Sequence, residues 1–136
     1  MCPECGALLV EGFTCWEQLG AILAWEWQDP ELGAVHFLTV ASYNLQHPAQ
    51  FTDAALAGLR EQYIAHLDQG VAVSEIRRRV GKTAAGATRV LKPEEERRPV
   101  LRQWSMTIAD VYIPDRPDGA AGRVKAWAAS IRKEIG

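Results

Sequence analysis

No stretch of this chain approaches the roughly eighteen consecutive apolar residues of a membrane span, which argues against a membrane protein. The opening Met1-Cys2-Pro3-Glu4-Cys5 carries a carboxylate and lacks the basic and apolar regions of a secretion signal. A cytoplasmic setting is therefore expected, and thiols there stay reduced. Charge of one sign is also lacking: the formal net charge is −2, so nothing pulls the whole chain toward nucleic acid or anionic lipid. Cysteine is scarce and odd in number, at three. Two of them stand in a CxxC, so they read as metal ligands before they read as a disulfide framework.

What is present is ordinary for a globular protein. Hydrophobic residues make up 48% and charged residues 24% of 136 positions, enough for one domain with its own core. Five tryptophans are many for this length, and core packing is the simplest account of them. No internal repeat appears, and residues 1–136 are expected to form a single domain.

Along the chain, residues 1–14 read as a glycine-containing loop. Thr14 with Glu17 forms a capping box that opens a helix, with Trp16, Leu19, Gly20, Leu23 and Trp27 on one stripe, widened by Ile22, Ala24 and Trp25. This helix is expected to be buried on most sides. Asp29-Pro30-Glu31 starts a second helix that runs to about Gln46, because His47 precedes Pro48. Thr52-Asp53 starts a third, with Leu56, Leu59, Tyr63 and Leu67 inward and Gly70 as the stop. A fourth lies within 71–85, with Val73, Ile76 and Val80 on one face, completing a bundle over 15–85. Residues 86–102 read as a solvated charged loop bounded by prolines. Trp104, Met106 and Ile108 alternate with polar residues, as in a short strand or extended segment near 103–109. A last helix carries Ala121, Val124, Ala128, Ile131 and Ile135 on one face with Trp127 at its edge. The expected fold is mainly α: about five helices, an amino-terminal knuckle and one extended segment, with 103–136 forming that segment and the last helix.

The chemistry concentrates at the amino terminus. Cys2-Pro3-Glu4-Cys5-Gly6 is a zinc-knuckle pattern: two intervening residues let both sulfurs reach one ion, and glycine tolerates the tight turn. A thioredoxin-like redox pair normally follows a strand, and none precedes Cys2. Cys15, in the first turn of a helix, is the natural third ligand, though a buried cysteine can also be a plain small hydrophobe. The fourth must be His36, His47 or His66. The first two helices are joined by almost nothing, so they form an antiparallel hairpin. Cys15 lies about 20 Å from the turn, His36 only half-way down opposite Ile22, and His47 at the far end beside Cys15. His36 and His47 stand about 16 Å apart on a straight helix and cannot share an ion. The expected set is Cys2, Cys5, Cys15 and His47, with His36 as the alternative fourth ligand; otherwise His36 is an interior or interhelical histidine and His66 a surface or boundary one. A Cys3His set closes a tetrahedron, which is the structural arrangement of zinc.

Other signals are weaker. Gly81-Lys82-Thr83 ends like a P-loop, but the glycine required five residues earlier is Ile76. Arg77-Arg78-Arg79 makes the helix around 74–82 basic, which raises a nucleic-acid-binding alternative, against a solvated face neutralised by Glu75 and Glu94–Glu96. A metalloenzyme with water in the fourth coordination position is the other alternative, with His36, Tyr43, Gln46 and Asp110 as its polar groups. No catalytic residues stand out, and the expectation leans away from an enzyme. It favours a zinc-binding adaptor module, with a protein partner or a second copy as the open possibilities.

Cys2-Pro-x-Cys5-Gly6, Cys15-Trp16, His36-x-Leu38-Thr39-Val40-x-x-Tyr43-x-x-Gln46-His47-Pro48, and Trp104-x-x-Thr107-x-x-Asp110-Val111 leading to Val124-x-x-Trp127-Ala128 span most of the chain. With these markers it resembles a bacterial family known only as a domain of unknown function. The resemblance carries no established activity. It implies that His36 belongs to the neighbourhood of the site, which the hairpin geometry disfavours for a direct ligand.

Overall fold

Six α-helices and three 3-10 turns follow one another in the computed structural model, which describes residues 1–84 and 89–136, with the backbone alone for 81–84. Among the described residues there is no named strand, only two isolated bridges. No helix there is long and apolar enough to cross a membrane.

The first helix, α1 (Cys15–Trp25), opens as its sequence requires. The Thr14 hydroxyl accepts the Glu17 amide at 3.2 Å, and the Glu17 carboxylate accepts the Thr14 amide at 3.0 Å. Its buried side, however, is Cys15, Gln18, Leu19 and Ile22. Of the stripe expected to face the core, Leu19 and Ile22 are buried and Leu23 and Trp25 are partly buried against it, whereas Trp16, Gly20 and Ala24, and Trp27 in the turn beyond the helix, are exposed. The cause is the pairing of helix ends: turning Cys15 toward the second half of the hairpin turns Trp16 away.

That second half is two helices rather than one. Asp29 Oδ1 accepts the amides of Glu31 and Leu32 at the start of α2 (Pro30–Ala34), and the chain then breaks at Val35 (φ −106°, ψ 20°) before α3 (His36–Leu45). Gly33, a poor helix former, precedes the break. The short piece buries Leu32 completely, while α3 is re-aimed to bury Leu38, Ala41 and Leu45. Pro48 follows His47 and starts a 3-10 turn, as a pre-proline stop requires.

Helix α4 (Asp53–Gln69) is capped by Thr52 and stopped by Gly70 in the left-handed region (φ 67°), where glycine carries no Cβ penalty. In α5 (Val73–Ala84) Ile76 is buried, but Val80 is 52% exposed, so the expected apolar face is only partly used. The expected loop is tethered: Phe51 pairs with Leu91, the Thr52 amide reaches Val90 O at 2.9 Å, and Lys92 N reaches Gln50 O at 2.9 Å. Its residues 86–88, residue 85 of the fourth helix, and the side chains of Gly81-Lys82-Thr83 lie outside the described residues.

Residues 101–107 are extended without a ladder partner, and Trp104, Met106 and Ile108 turn inward as their alternation predicts. Ile108–Asp110 is a 3-10 turn rather than strand, because Thr107 and Asp110 form a capping box of their own. The last helix, α6 (Ala120–Ile135), runs through the middle of the core. Trp127 is fully buried there with Ile22, Leu32, Tyr63, Val124 and Ile131, not at the helix edge as the spacing suggested. Of the five tryptophans it alone is fully buried, so core packing does not account for the set.

Candidate metal centre

Three chain segments meet where α1 begins and α3 ends: the knuckle, the first turn of α1, and the end of α3 with the turn after it. The knuckle is folded by its own amides: Gly6 N donates to Cys2 O at 3.0 Å, and Cys2 N donates to Ala7 O at 2.9 Å. Gly6 takes φ 78°, the conformation that makes the turn possible. The amides of Glu4 and Cys5 point at Cys2 Sγ (3.5 and 3.4 Å), and that of Ala7 points at Cys5 Sγ (3.4 Å). Backbone donors aimed at sulfur favour thiolates.

Cys15 comes to these sulfurs from the first turn of α1, where free amides and the helix dipole also favour an anion. His47 comes from the far end of the hairpin. Its Nε2 lies 3.6 Å from Cys2 Sγ and 3.5 Å from Cys15 Sγ, while Nδ1 donates to Tyr43 O at 2.6 Å. That carbonyl holds the proton on Nδ1 and turns the Nε2 lone pair to the sulfurs, the outer bond a ligating histidine needs. The Tyr43 ring stacks on the imidazole at 4.0 Å, and its hydroxyl lies 3.5 Å from Cys15 Sγ.

The four donor atoms all lie within 4.8 Å of one another. A tetrahedral zinc with Zn–S of about 2.3 Å and Zn–N of about 2.0–2.1 Å has S···N edges of about 3.5 Å, so both measured sulfur–nitrogen separations fit such an ion. Cys5, Cys15 and His47 are buried and Cys2 is half-buried, which places the donors in a dry interior. Electrostatics agree. The Cys15 thiol is pulled down to about 3 by hydrogen bonds from Cys5, His47 and Tyr43, which outweigh burial. Donating to Cys15, and burial, push Cys5 up. Burial and the same thiolate push Tyr43 up. Burial works against charge on His47, yet its bonds to Cys15, the Tyr43 carbonyl and Cys2 raise it to about 9. The four donors therefore share one small, hydrogen-bonded cluster in which Cys15 carries the most thiolate character.

The other sequence candidates stand apart. His36 Nδ1 is 2.8 Å from both carboxylate oxygens of Glu26, an exposed clip between the end of α1 and the start of α3, rather than an interior group. The family resemblance placed it near the site; the break at Val35 puts it beside the hairpin turn instead. His66 is half-buried, bonded to Val71 O at 2.7 Å, with its ring edge-on to Phe37. Gln46 and Asp110 serve as structural hydrogen-bonding groups, Gln46 between Met106 and Trp127 and Asp110 in its capping box. Arg78 and Arg79 lean on Glu75, the neutralisation expected of a solvated face.

Two residues matter that the sequence reading passed over. Glu4 Oε2 accepts the Ala49 amide at 2.8 Å, tying the knuckle to the turn just after His47. Gln18, fully buried, donates to Leu8 O and Phe13 O and holds the loop between Cys5 and Cys15. An amide side chain three residues after Cys15, on the same helix face, was the available signal.

No curated protein and no solved structure matches the chain. Its whole length, residues 1–136, matches the model of the family of unknown function DUF5946, and the chain belongs to that family.

Proposed function

We propose that Cys2, Cys5, Cys15 and His47 hold one structural zinc ion, and that the chain is a zinc-stapled helical binding module of a reducing, cytoplasmic compartment. The observation that carries this reading is the pair of sulfur–nitrogen separations, 3.6 and 3.5 Å, at the edge length of a tetrahedral zinc site. Zinc suits three thiolates and an imidazole better than calcium, magnesium or manganese, which take oxygen donors. When bound, the ion supplies charge neutralisation and a cross-link. The residues do the rest: the amides of Glu4, Cys5 and Ala7 support two sulfurs, Tyr43 supports the third and orients His47, and Glu4 closes the knuckle over the His47 turn.

Four protein donors leave no position for water or substrate, which supports a scaffold over a catalyst. Metal analysis of the full chain purified without chelator is expected to find about one zinc per chain. Finding none sinks the proposal. His47→Ala is expected to lose zinc and thermal stability together, because structural zinc binding is coupled to folding. Retention of both removes His47 from the set.

A further inference from the structure

The small net charge conceals a division along the chain. Residues 1–59 contain seven carboxylates and neither Lys nor Arg, whereas residues 60–136 contain ten carboxylates and all fifteen cations. The acidic part also carries the two most exposed indoles of the fold, Trp16 at 68% and Trp27 at 91%. Trp16 stands in the first turn of α1, and Trp27 stands in the turn that continues past its end at Trp25, where the Trp27 amide donates to Ala24 O at 3.3 Å. Between them lie Gly20, with nothing within 4 Å of where a side chain would start, and exposed Ala24. The result is an open apolar seam with an indole at each end. Tryptophan left in water at this exposure is costly for a monomer, and it is enriched among residues that anchor interfaces.

The occupant must bring apolar surface and positive charge to an acidic segment. The basic part of this chain carries such an element. On α5, Arg77 is exposed and makes no ion pair among the described residues, Val80 is 52% exposed, and only Ile76 is buried. Arginine over indole is a pairing this fold already uses: the Arg102 guanidinium lies 3.9 Å from the centre of the Trp104 ring.

We infer that the seam running from Trp16 along α1 to Trp27 in the following turn docks α5 of a second copy of this chain, the acidic part of one molecule meeting the basic part of the other. The contact is heterologous: different surfaces meet, so each copy offers both a donor helix and an acceptor seam. The inference rests on the binding-module reading and not on the metal, since neither indole nor Arg77 is a proposed ligand.

Sedimentation equilibrium of the full chain as purified tests it, across protein concentration and at low and high salt. Association that weakens as salt rises is expected, because the contact pairs opposite charges. Trp27→Ala and Arg77→Glu should each weaken it roughly thirtyfold while keeping the parent's metal content and melting temperature. The decisive arm is mixing. The Trp27→Ala variant retains α5 and the Arg77→Glu variant retains the seam, so the two together should form the complex that neither forms alone. A strict monomer at every concentration, association indifferent to salt, or a mixture that stays monomeric overturns the inference. Metal content measured on the same samples separates the two proposals. A monomer with one zinc removes only this one, and salt-sensitive association without zinc removes only the structural metal.

Discussion

Helix α3 faces two buried polar clusters that solve the same physical problem differently. Ser42 and Gln46, one turn apart, look into the α4–α6 side. There every strong group finds a protein partner: Ser42 Oγ and Tyr63 OH at 2.9 Å, Tyr63 OH donating to Ala128 O at 3.2 Å, Gln46 Nε2 donating to Met106 O at 2.8 Å, and Trp127 Nε1 donating to Gln46 Oε1 at 3.2 Å. Tyr43 and His47, each one residue further on, look about 100° away into three sulfurs. Burial raises the Tyr63 phenol to about 12, so it stays neutral and serves only as a hydrogen-bonding group. The thiol side is not closed in this way: hydrogen bonds from Cys5, His47 and Tyr43 draw the Cys15 thiol far down, while donation to Cys15 and burial push Cys5 up. A closed network needs nothing more, whereas four donors of metal-ligating type gathered within 4.8 Å suit a cation.

That contrast predicts its own hierarchy of damage. The largest effect is expected on the thiol side. Cys15→Ser, or removal of metal by a chelator, leaves buried sulfurs without their counter-charge and unhooks residues 1–13 from the hairpin. A loss of about 3 kcal/mol or more is expected, which for a chain of this size lowers the melting temperature by roughly 10 °C. Amide exchange should rise first at Cys5 and Ala7, while Tyr63 and Trp127 remain protected in the core. Unchanged exchange in the knuckle after metal removal would break the comparison from this side.

On the closed side the expected loss is smaller and independent of metal. Gln46→Leu strands two buried partners at once, the Trp127 N–H and the Met106 carbonyl, at a cost of about 2–4 kcal/mol. Zinc content should stay at the parent level even though Gln46 neighbours His47. Tyr63→Phe is milder, about 1–2 kcal/mol, because Ser42 and Ala128 lose one partner but no charge is left behind. Urea unfolding followed at constant metal content measures both. A Gln46→Leu variant that sheds zinc would mean that the two clusters are one.

The sequence announced the ends of elements better than their faces. Thr14 with Glu17, Asp29-Pro30, Thr52 and Gly70 are local chemistry, and each cap forms where its residues demand. The meeting of Cys15 with His47 was legible too, because a short turn between two helices leaves little freedom in which residues oppose each other. Direction was less legible. The expected α1 stripe of Trp16, Leu19, Gly20, Leu23 and Trp27, widened by Ile22, Ala24 and Trp25, includes the buried Leu19 and Ile22 but also the exposed Trp16, Gly20, Ala24 and Trp27, and it leaves out Cys15 and Gln18. Packing chose the side of Cys15, Gln18, Leu19 and Ile22, since that rotation brings Cys15 to His47 and Gln18 to the loop carbonyls. The break at Val35 and the central place of Trp127 are likewise decisions of long-range packing that no local window contains.

The smallest predicted effect belongs to His36 and is the most pointed about the site. His36 and His47 bracket the same helix, and residue type alone makes them equal candidates. Their surroundings do not. His47 is 8% exposed with its Nε2 directed at two sulfurs, whereas His36 is exposed and spends Nδ1 on Glu26. An exposed pair of this kind is worth about 0–1 kcal/mol. His36→Gln should therefore shift the melting temperature by only a degree or two and leave zinc content untouched, as measured by thermal denaturation and metal analysis side by side. Loss of zinc in this variant alone, with His47→Ala retaining it, would exchange the two histidines' roles and require the hairpin to close about 16 Å out of its present register.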